Sequence, residues 1–345
     1  MVVAYAYGIK KPAIFTTNKA IAAIMPSYTI PLFFLNIGFL QSTIPLFTRG
    51  RILNEARKRT LKLCLDEAEI NVDIFENSNG SKTALNVVLV PGLHGTSRSR
   101  YVVDAANFML KKYCRVFVIH ARGVLGLLKS NRYSHVGHTE DLLCLTEHII
   151  GSYTNQVFFI GFSQGANVVT KFLGEFDSSR IVGGISVCNP FNFKNLENLV
   201  LTGGICNRIG HRAVVYVLKK HLHEIFPNNL KFNMEQTRIS KLTTCTEVTA
   251  KLIEMDFIDT TDIETFLHQN SSEFYIEKIK KPFLFINAVD DPIIPEGVIP
   301  KQKILKNSMT GLITLHGGHL GFKSFFMTST LETIMDQFAK QLKLF

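Results

Sequence analysis

From residue 85 onward, short apolar runs alternate with stretches of helical periodicity, and this pattern restricts the fold more than any other feature of the chain. Such alternation is typical of a mostly parallel sheet that helices cover on both faces. In sheets of this kind, ligands gather at the carboxyl ends of the strands. The six runs are LNVVLVPG, CRVFVIHARG, QVFFIGFSQG, IVGGISVCNP, KPFLFINAVDD and GLITLHGGH. We therefore predict an α/β fold whose functional site lies where these runs end.

The segment 191–272 separates the fourth run from the fifth and is too long for an ordinary connection. It contains RAVVYVLKKHLHEIF, in which apolar residues recur at helical spacing. We predict a helical cap over the strand ends, inserted within a single domain that spans residues 50–345. The apolar faces of the cap either pack on the sheet or contact substrate directly.

The amino-terminal segment 1–49 is strongly apolar, with no charged residue between Lys19 and Arg49. Its length is sufficient to cross a bilayer. However, Pro26, Pro31 and Pro45 interrupt it, and proline inside a helix removes a backbone hydrogen bond. We expect a segment that packs on the domain or lies on a membrane surface, with a transmembrane span as the alternative. It does not match a secretory signal peptide, because the prolines break the apolar region.

The net charge of +10 is spread along the chain, and only EARKRTLK forms a dense basic run. We predict a solvated helix or loop face there, with lipid head groups as the alternative contact, and no nucleic-acid partner. The six cysteines are scattered without a CxxC pair. This usage indicates buried thiols in a reducing compartment, neither a disulfide framework nor a structural zinc site.

Ser163 is the candidate nucleophile, at the centre of the segment Gly161-Phe162-Ser163-Gln164-Gly165. An apolar strand run precedes it and the helical pattern ANVVTKFL follows, which is the setting of a nucleophile elbow. The two glycines remove side chains that would collide where strand and helix crowd together. The alternative is a polar residue in an ordinary turn.

A serine hydroxyl needs a histidine base and a carboxylate that orients it. The fifth run ends in NAVDDPIIP and the last is followed by GGHLGF. We favour Asp291, four residues before Pro295, as the acid; Asp290 is then a neighbour that caps or braces the loop. We favour His319 as the base over His316, which we assign to the strand end. The remaining histidines are expected at surface or satisfied core positions.

Two backbone N–H groups are needed to stabilise the oxyanion of an acyl-transfer reaction. Gln164, directly after the nucleophile, is one candidate donor. Leu93, in the glycine-containing loop VPGLHGTSRS after the first run, is the other. The alternative for that loop is a plain strand-to-helix turn in which Ser97 or Ser99 caps the helix.

At these residues the sequence resembles the AB hydrolase 4 family of the α/β-hydrolases, which includes eukaryotic membrane-associated phospholipases and yeast medium-chain ester synthase/esterases. Phe39 stands where the family usually has histidine, and Ala166 where it usually has a second glycine. The resemblance implies an α/β-hydrolase fold with Ser163, Asp291 and His319 as a triad. The matching segments are LNIGFLQSTIPLFTR, PGLHGTSRSRYV, ARGVLG, YSHVGHTEDL, GFSQGANVVTKFLGE, NAVDDPIIP and GGHLGF.

The resemblance and the Ser, Asp, His set together imply a serine esterase or lipase that needs no metal or organic cofactor. The expected substrate carries an acyl chain, as in monoacylglycerol, phospholipid or a medium-chain ester. We expect a cytoplasmic or peripherally membrane-associated protein whose partners are its lipid or small ester substrate and a membrane surface. Two alternatives stand beside this: acyl transfer to an alcohol by the same residues, and an inactive binding protein that keeps the fold.

Overall fold

The chain folds into a central mixed β-sheet with helices on both faces. The computed structural model describes residues 9–10, 13–16, 28–29, 38–47, 51–52, 56–65, 68–77, 85–112, 114–125, 128, 133–307, 309–322 and 330–344. The strands are β1 (Ile9–Lys10), β2 (Ala13–Thr16), β3 (Tyr28–Thr29), β4 (Ala56–Leu65), β5 (Ala68–Asn77), β6 (Asn86–Val90), β7 (Arg115–Ile119), β8 (Val157–Phe162), β9 (Ile181–Val187), β10 (Phe283–Ala288) and β11 (Thr310–Thr314).

The helices connect and flank these strands. They are α1 (Gly38–Phe47), α2 (Arg100–Lys111), α3 (Glu140–Ser152), α4 (Gln164–Glu175), α5 (Phe193–Thr202), α6 (Ile205–Ile225), α7 (Leu230–Lys241), α8 (Cys245–Glu254), α9 (Ile263–Asn270), α10 (Lys301–Lys306) and α11 (Thr330–Gln341).

Within the described residues, nine strands form the main sheet in the order β2-β11-β10-β9-β8-β6-β7-β5-β4. The six strands β6 to β11 are parallel to one another, whereas β2, β5 and β4 are antiparallel additions at the two edges. Each predicted apolar run forms one of the six parallel strands, so the α/β prediction is confirmed. Because these strands are parallel, their carboxyl ends meet at one edge of the sheet.

Alternate residues of each strand point to opposite faces, and both faces are buried. In β6, Val87 and Leu89 belong to the core cluster beneath α2 and α11, whereas Val88 and Val90 belong to the cluster beneath α3 and α4. This explains why the runs are continuously apolar: a strand covered on both faces has no solvent side on which polar residues would recur.

The basic run EARKRTLK is not a helix or loop face, because residues 56–65 form the edge strand β4 paired with β5. Leu61 and Leu63 pack toward the core, and Lys58 and Lys62 are exposed. The prediction was wrong because the dense charge concealed the two-residue period. Lysines on an edge strand discourage pairing with the edge strand of another chain. This explains why basic residues are concentrated in β4.

Five helices, α5 to α9, lie between β9 and β10 in the described chain and form the predicted cap. The cap has its own apolar core, which includes Leu222, Phe226, Phe232 and Val248. The longest of its helices is α6, with 21 residues.

Part of the amino-terminal segment 1–49 lies outside the described residues, and the division into segment and domain stays a prediction. Its helix α1 is described and contacts the candidate site. In the described part of the chain, no helix has the length and apolarity that crossing a membrane requires.

All six cysteines are free, but Cys64 and Cys206 are exposed. The expectation of buried thiols is therefore wrong for these two. Cys64 lies on edge strand β4 and Cys206 in the first turn of α6, where each side chain meets solvent.

Candidate active site

Ser163 lies in a strained turn between β8 and α4, with φ 53° and ψ −119°. A non-glycine residue rarely adopts a positive φ, and such strain is typical of functional sites. The flanking glycines are required by space: a Cβ on Gly165 would lie 2.1 Å from the carbonyl oxygen of Val90, and one on Gly161 would lie 2.4 Å from that of Gly165. The turn presents the Ser163 side chain at the carboxyl edge of the sheet.

The structure brings Ser163, Asp291 and His319 together. His319 Nε2 lies 2.9 Å from Ser163 Oγ, and His319 Nδ1 lies 2.9 Å from Asp291 Oδ2. The Asp291 side chain is fully buried, and its other oxygen accepts hydrogen bonds from the amides of Ile293 (2.8 Å) and Ile294 (3.0 Å). Because the Asp291 carboxylate is fixed in this way, it can accept the hydrogen carried by His319 Nδ1. The other ring nitrogen, Nε2, is then free to accept the hydrogen of the Ser163 hydroxyl.

Asp290 braces the loop that carries His319. One of its oxygens accepts hydrogen bonds from the amides of Gly317 and Gly318, each at 2.9 Å, and the other lies 3.3 Å from His316 Nδ1. Burial raises the pKa of Asp290 above its usual value, although the Gly318 amide and His316 oppose that effect. Strand β11 ends at Thr314, so the assignment of His316 to the strand end is wrong.

Helix α1 supports the same loop, a contribution that sequence reasoning missed. The amide of His319 donates to Ser42 Oγ at 2.7 Å, and Ser42 in turn donates to the carbonyl of Gly38 at 2.6 Å. Gly38 packs directly on the backbone of Asp290, where an added Cβ would lie 1.8 Å from the carbonyl oxygen. The signal available in the sequence was the family-like segment LNIGFLQS, which contains both Gly38 and Ser42.

The two predicted oxyanion donors lie on adjacent elements. The Gln164 amide opens α4, and the first amides of a helix have no partner within it. In the loop after β6, the Gly92 amide donates to the Tyr101 hydroxyl at 3.1 Å, which holds the backbone next to Leu93. Burial raises the pKa of Tyr101 to about 12, so its hydroxyl stays neutral. The oxyanion role of Leu93 and Gln164 remains a prediction.

His94, beside Leu93, joins this loop to the cap. Its Nδ1 lies 3.2 Å from Nδ1 of His221 on α6, and its Nε2 lies 3.4 Å from a carboxylate oxygen of Glu224 on the same helix. Burial, and to a smaller extent His94, lowers the pKa of His221 to about 4, so His221 is neutral at pH 7. We predicted a surface or satisfied core position for His94, because nothing in the spacing of the sequence reveals that His221, 127 positions away, is its partner.

A buried thiol lies beside the acid and the base. The Cys188 sulfur, one Asp291 carboxylate oxygen and one His319 ring nitrogen all lie within 4.8 Å of one another. Sulfur, oxygen and nitrogen donors form a set that can bind zinc. Burial, followed by the nearby charge of Asp291, raises the pKa of the Cys188 thiol well above its usual value, so the sulfur stays protonated.

Known proteins similar to this chain are lipases and hydrolase-domain proteins. The chain is 29% identical to "Abhydrolase domain-containing protein 2" of Drosophila melanogaster over 74% of its length and 68% of that protein. It is 26% identical to "Monoacylglycerol lipase ABHD2" of Danio rerio and 24% identical to that of Homo sapiens, each over 88% of this chain and 76% of the relative. No protein-family model matches the chain.

Solved structures show the same architecture. The Pyrococcus furiosus esterase Pf2001 superposes with a TM-score of 0.54 at 16% identity, covering 85% of this chain and 97% of the esterase. Est1E from Butyrivibrio proteoclasticus superposes with a TM-score of 0.52 at 11% identity, covering 83% of this chain and 98% of Est1E. At such identities the likeness is one of fold.

Proposed function

We propose that the chain is an α/β-hydrolase that cleaves carboxylic esters of acyl lipids through an acyl-enzyme intermediate. The single observation that carries the proposal is the chain of contacts from Asp291 through His319 to Ser163, with 2.9 Å at each step. Relatives named as monoacylglycerol lipases support a lipid ester as the substrate.

Each half of the proposed reaction moves one proton through His319 and exchanges one carbon–oxygen bond. As Ser163 Oγ bonds to the ester carbonyl carbon, His319 Nε2 accepts the hydroxyl proton, and Asp291 stabilises the imidazolium that forms. The carbon–oxygen bond to the alcohol then breaks, and His319 returns the proton to the leaving alcohol. A water molecule then bonds to the acyl carbon while His319 Nε2 accepts one of its protons. The bond from that carbon to Ser163 Oγ breaks, His319 returns the proton to Ser163 Oγ, and the fatty acid is released.

The carbonyl oxygen gains negative charge in each tetrahedral intermediate. We assign its stabilisation to the amides of Gln164 and Leu93, which lie on the elbow helix and on the loop after β6. Each preorganised donor of this kind typically contributes about 10²- to 10³-fold to kcat.

A fluorophosphonate probe tests the nucleophile. We expect wild type to be labelled and Ser163→Ala to be unlabelled, because the probe reacts only with an activated serine hydroxyl. Ser152→Ala, at the exposed end of α3, is the matched control and should be labelled like wild type. Equal labelling of Ser163→Ala and wild type would contradict the assignment.

Fatty acid release from monoacylglycerols, phospholipids and medium-chain ethyl esters, measured with wild type, Ser163→Ala and Ser152→Ala, then identifies the class of ester that the protein cleaves. We expect fatty acid release from at least one class by wild type and Ser152→Ala, and none above background by Ser163→Ala.

A further inference from the structure

Cap helix α6 spans the mouth of the candidate site. Its 21 residues correspond to about 30 Å at 1.5 Å per residue. In its first half, Asn207 donates to the carbonyl of Pro292 at 3.3 Å, directly after Asp291. In its second half, His221 contacts His94 beside Leu93. One helix therefore touches both the acid loop and the oxyanion loop, and its opposite face points to solvent.

That outward face presents large apolar side chains. Ile205, Ile209 and Tyr216 are 67%, 43% and 68% exposed, respectively. Steps of four and seven residues place all three on one side of the helix. On the neighbouring helix α5, Leu201 is 45% exposed and lines the same groove as Tyr216. Clustering of this kind, in contrast to single exposed residues, marks an interaction surface.

The same face is positively charged. Between Ile205 and His223 the sequence contains two arginines and two lysines and no aspartate or glutamate. A groove of about 850 Å³ runs between α6 and α7. Its apolar floor includes Phe232 and Ile239, and Arg208 and Arg212 contribute to its basic rim.

We propose that this outward face of α6, with Leu201, is a docking surface for an anionic lipid bilayer. Exposed apolar residues among cations, along a helix that lies flat on the protein, are the features of interfacial membrane helices. A second copy of the chain does not fit, because two identical cationic faces repel each other. The docking surface rests on the proposed function, because docking here would bring lipid esters to the two loops that α6 contacts.

Vesicle sedimentation tests the surface. The protein is Ser163→Ala, so that binding is measured without hydrolysis. The vesicles contain either phosphatidylcholine alone or phosphatidylcholine with about 30% phosphatidylserine. We expect binding to the anionic vesicles that weakens with added salt, and at least about tenfold weaker partition for the double variant Arg208→Glu/Arg212→Glu. Ile205→Ser/Tyr216→Ser should also bind less.

The matched control is Lys278→Glu/Lys280→Glu, which makes the same change of net charge at the exposed amino-terminal side of β10. It should change partition less than about twofold. Hydrolysis of a short soluble ester by the Arg208→Glu/Arg212→Glu protein with Ser163 intact should equal that of wild type, which separates failed docking from a failed catalytic assignment.

Equal losses in both charge-reversed pairs, or no binding of the parent protein to anionic vesicles, would overturn the docking surface. Binding to soluble polyglutamate in place of vesicles, lost in Arg208→Glu/Arg212→Glu, would also overturn it and assign the face to an acidic protein.

Discussion

Two carboxylate–imidazole pairs lie side by side at the carboxyl edge of the sheet, and they are built for different tasks. Asp291 faces His319, which faces Ser163, whereas Asp290 faces His316 and the glycine amides of the same loop. The Asp291 side chain is fully buried, and that of Asp290 is 18% exposed. A carboxylate near a histidine therefore does not define a triad, because contact with a hydroxyl is what distinguishes the two pairs.

The largest expected difference between the pairs is catalytic. Asp291→Asn should lower kcat by about 10⁴-fold, because an amide favours the wrong imidazole tautomer and cannot stabilise the imidazolium. Asp290→Asn should lower it by less than about tenfold, since an amide oxygen can still accept from the Gly317 and Gly318 amides. Steady-state hydrolysis of one ester by both variants measures the contrast. Equal losses would contradict the assignment of Asp291, in preference to Asp290, as the carboxylate that orients His319.

An intermediate effect is expected where α1 supports the His319 loop. Ser42→Ala removes the oxygen that accepts from the His319 amide, so the imidazole should shift and kcat should fall about tenfold. Thr146→Val is the matched control, because Thr146 also donates to a carbonyl four residues earlier, but on α3. An unchanged kcat in Ser42→Ala would mean that the Asp290 contacts alone position the loop.

The smallest effect concerns stability and pH. Because burial raises the pKa of Asp290, the folded protein binds this proton more tightly than the unfolded chain. The resulting stabilisation is complete below the unfolded pKa, near roughly pH 4, and is lost as the pH rises through the folded pKa. We expect Asp290→Asn to gain free energy of unfolding relative to wild type between about pH 4 and pH 7, measured by urea denaturation.

Asp336 provides a control of opposite sign for the pH experiment. Burial opposes its ionisation, but Lys112 and Lys340 outweigh burial and lower its pKa. The stabilisation from Asp336 is therefore complete above its unfolded pKa, near roughly pH 4, and is lost as the pH falls through its folded pKa. Asp336→Asn should be less stable than wild type above roughly pH 4, and the deficit should shrink as the pH falls below that value. The same trend in both variants would contradict the assigned difference in environment.

Local pattern was sufficient to predict the parallel strands and the turn at Ser163. Apolar runs form buried strands wherever both faces are covered, and glycines beside a serine permit a turn that few other residues allow. Edge strand β4 was not predictable in the same way, since its charges fit several exposed structures. Periodicity could not predict the contribution of Ser42 either, because a hydroxyl 277 positions from its partner leaves no periodic signal.

By itself, the sequence determined the six parallel strands, the turn at Ser163 and the order of Ser163, Asp291 and His319, since apolar runs and glycines at crowded turns act through nearby residues. Only the tertiary structure decided which of Asp290 and Asp291 faces His319, and which cap residues remain in solvent. Both depend on packing between segments that are far apart in the chain. A shift of one residue along a strand moves each side chain from the buried face to the exposed face.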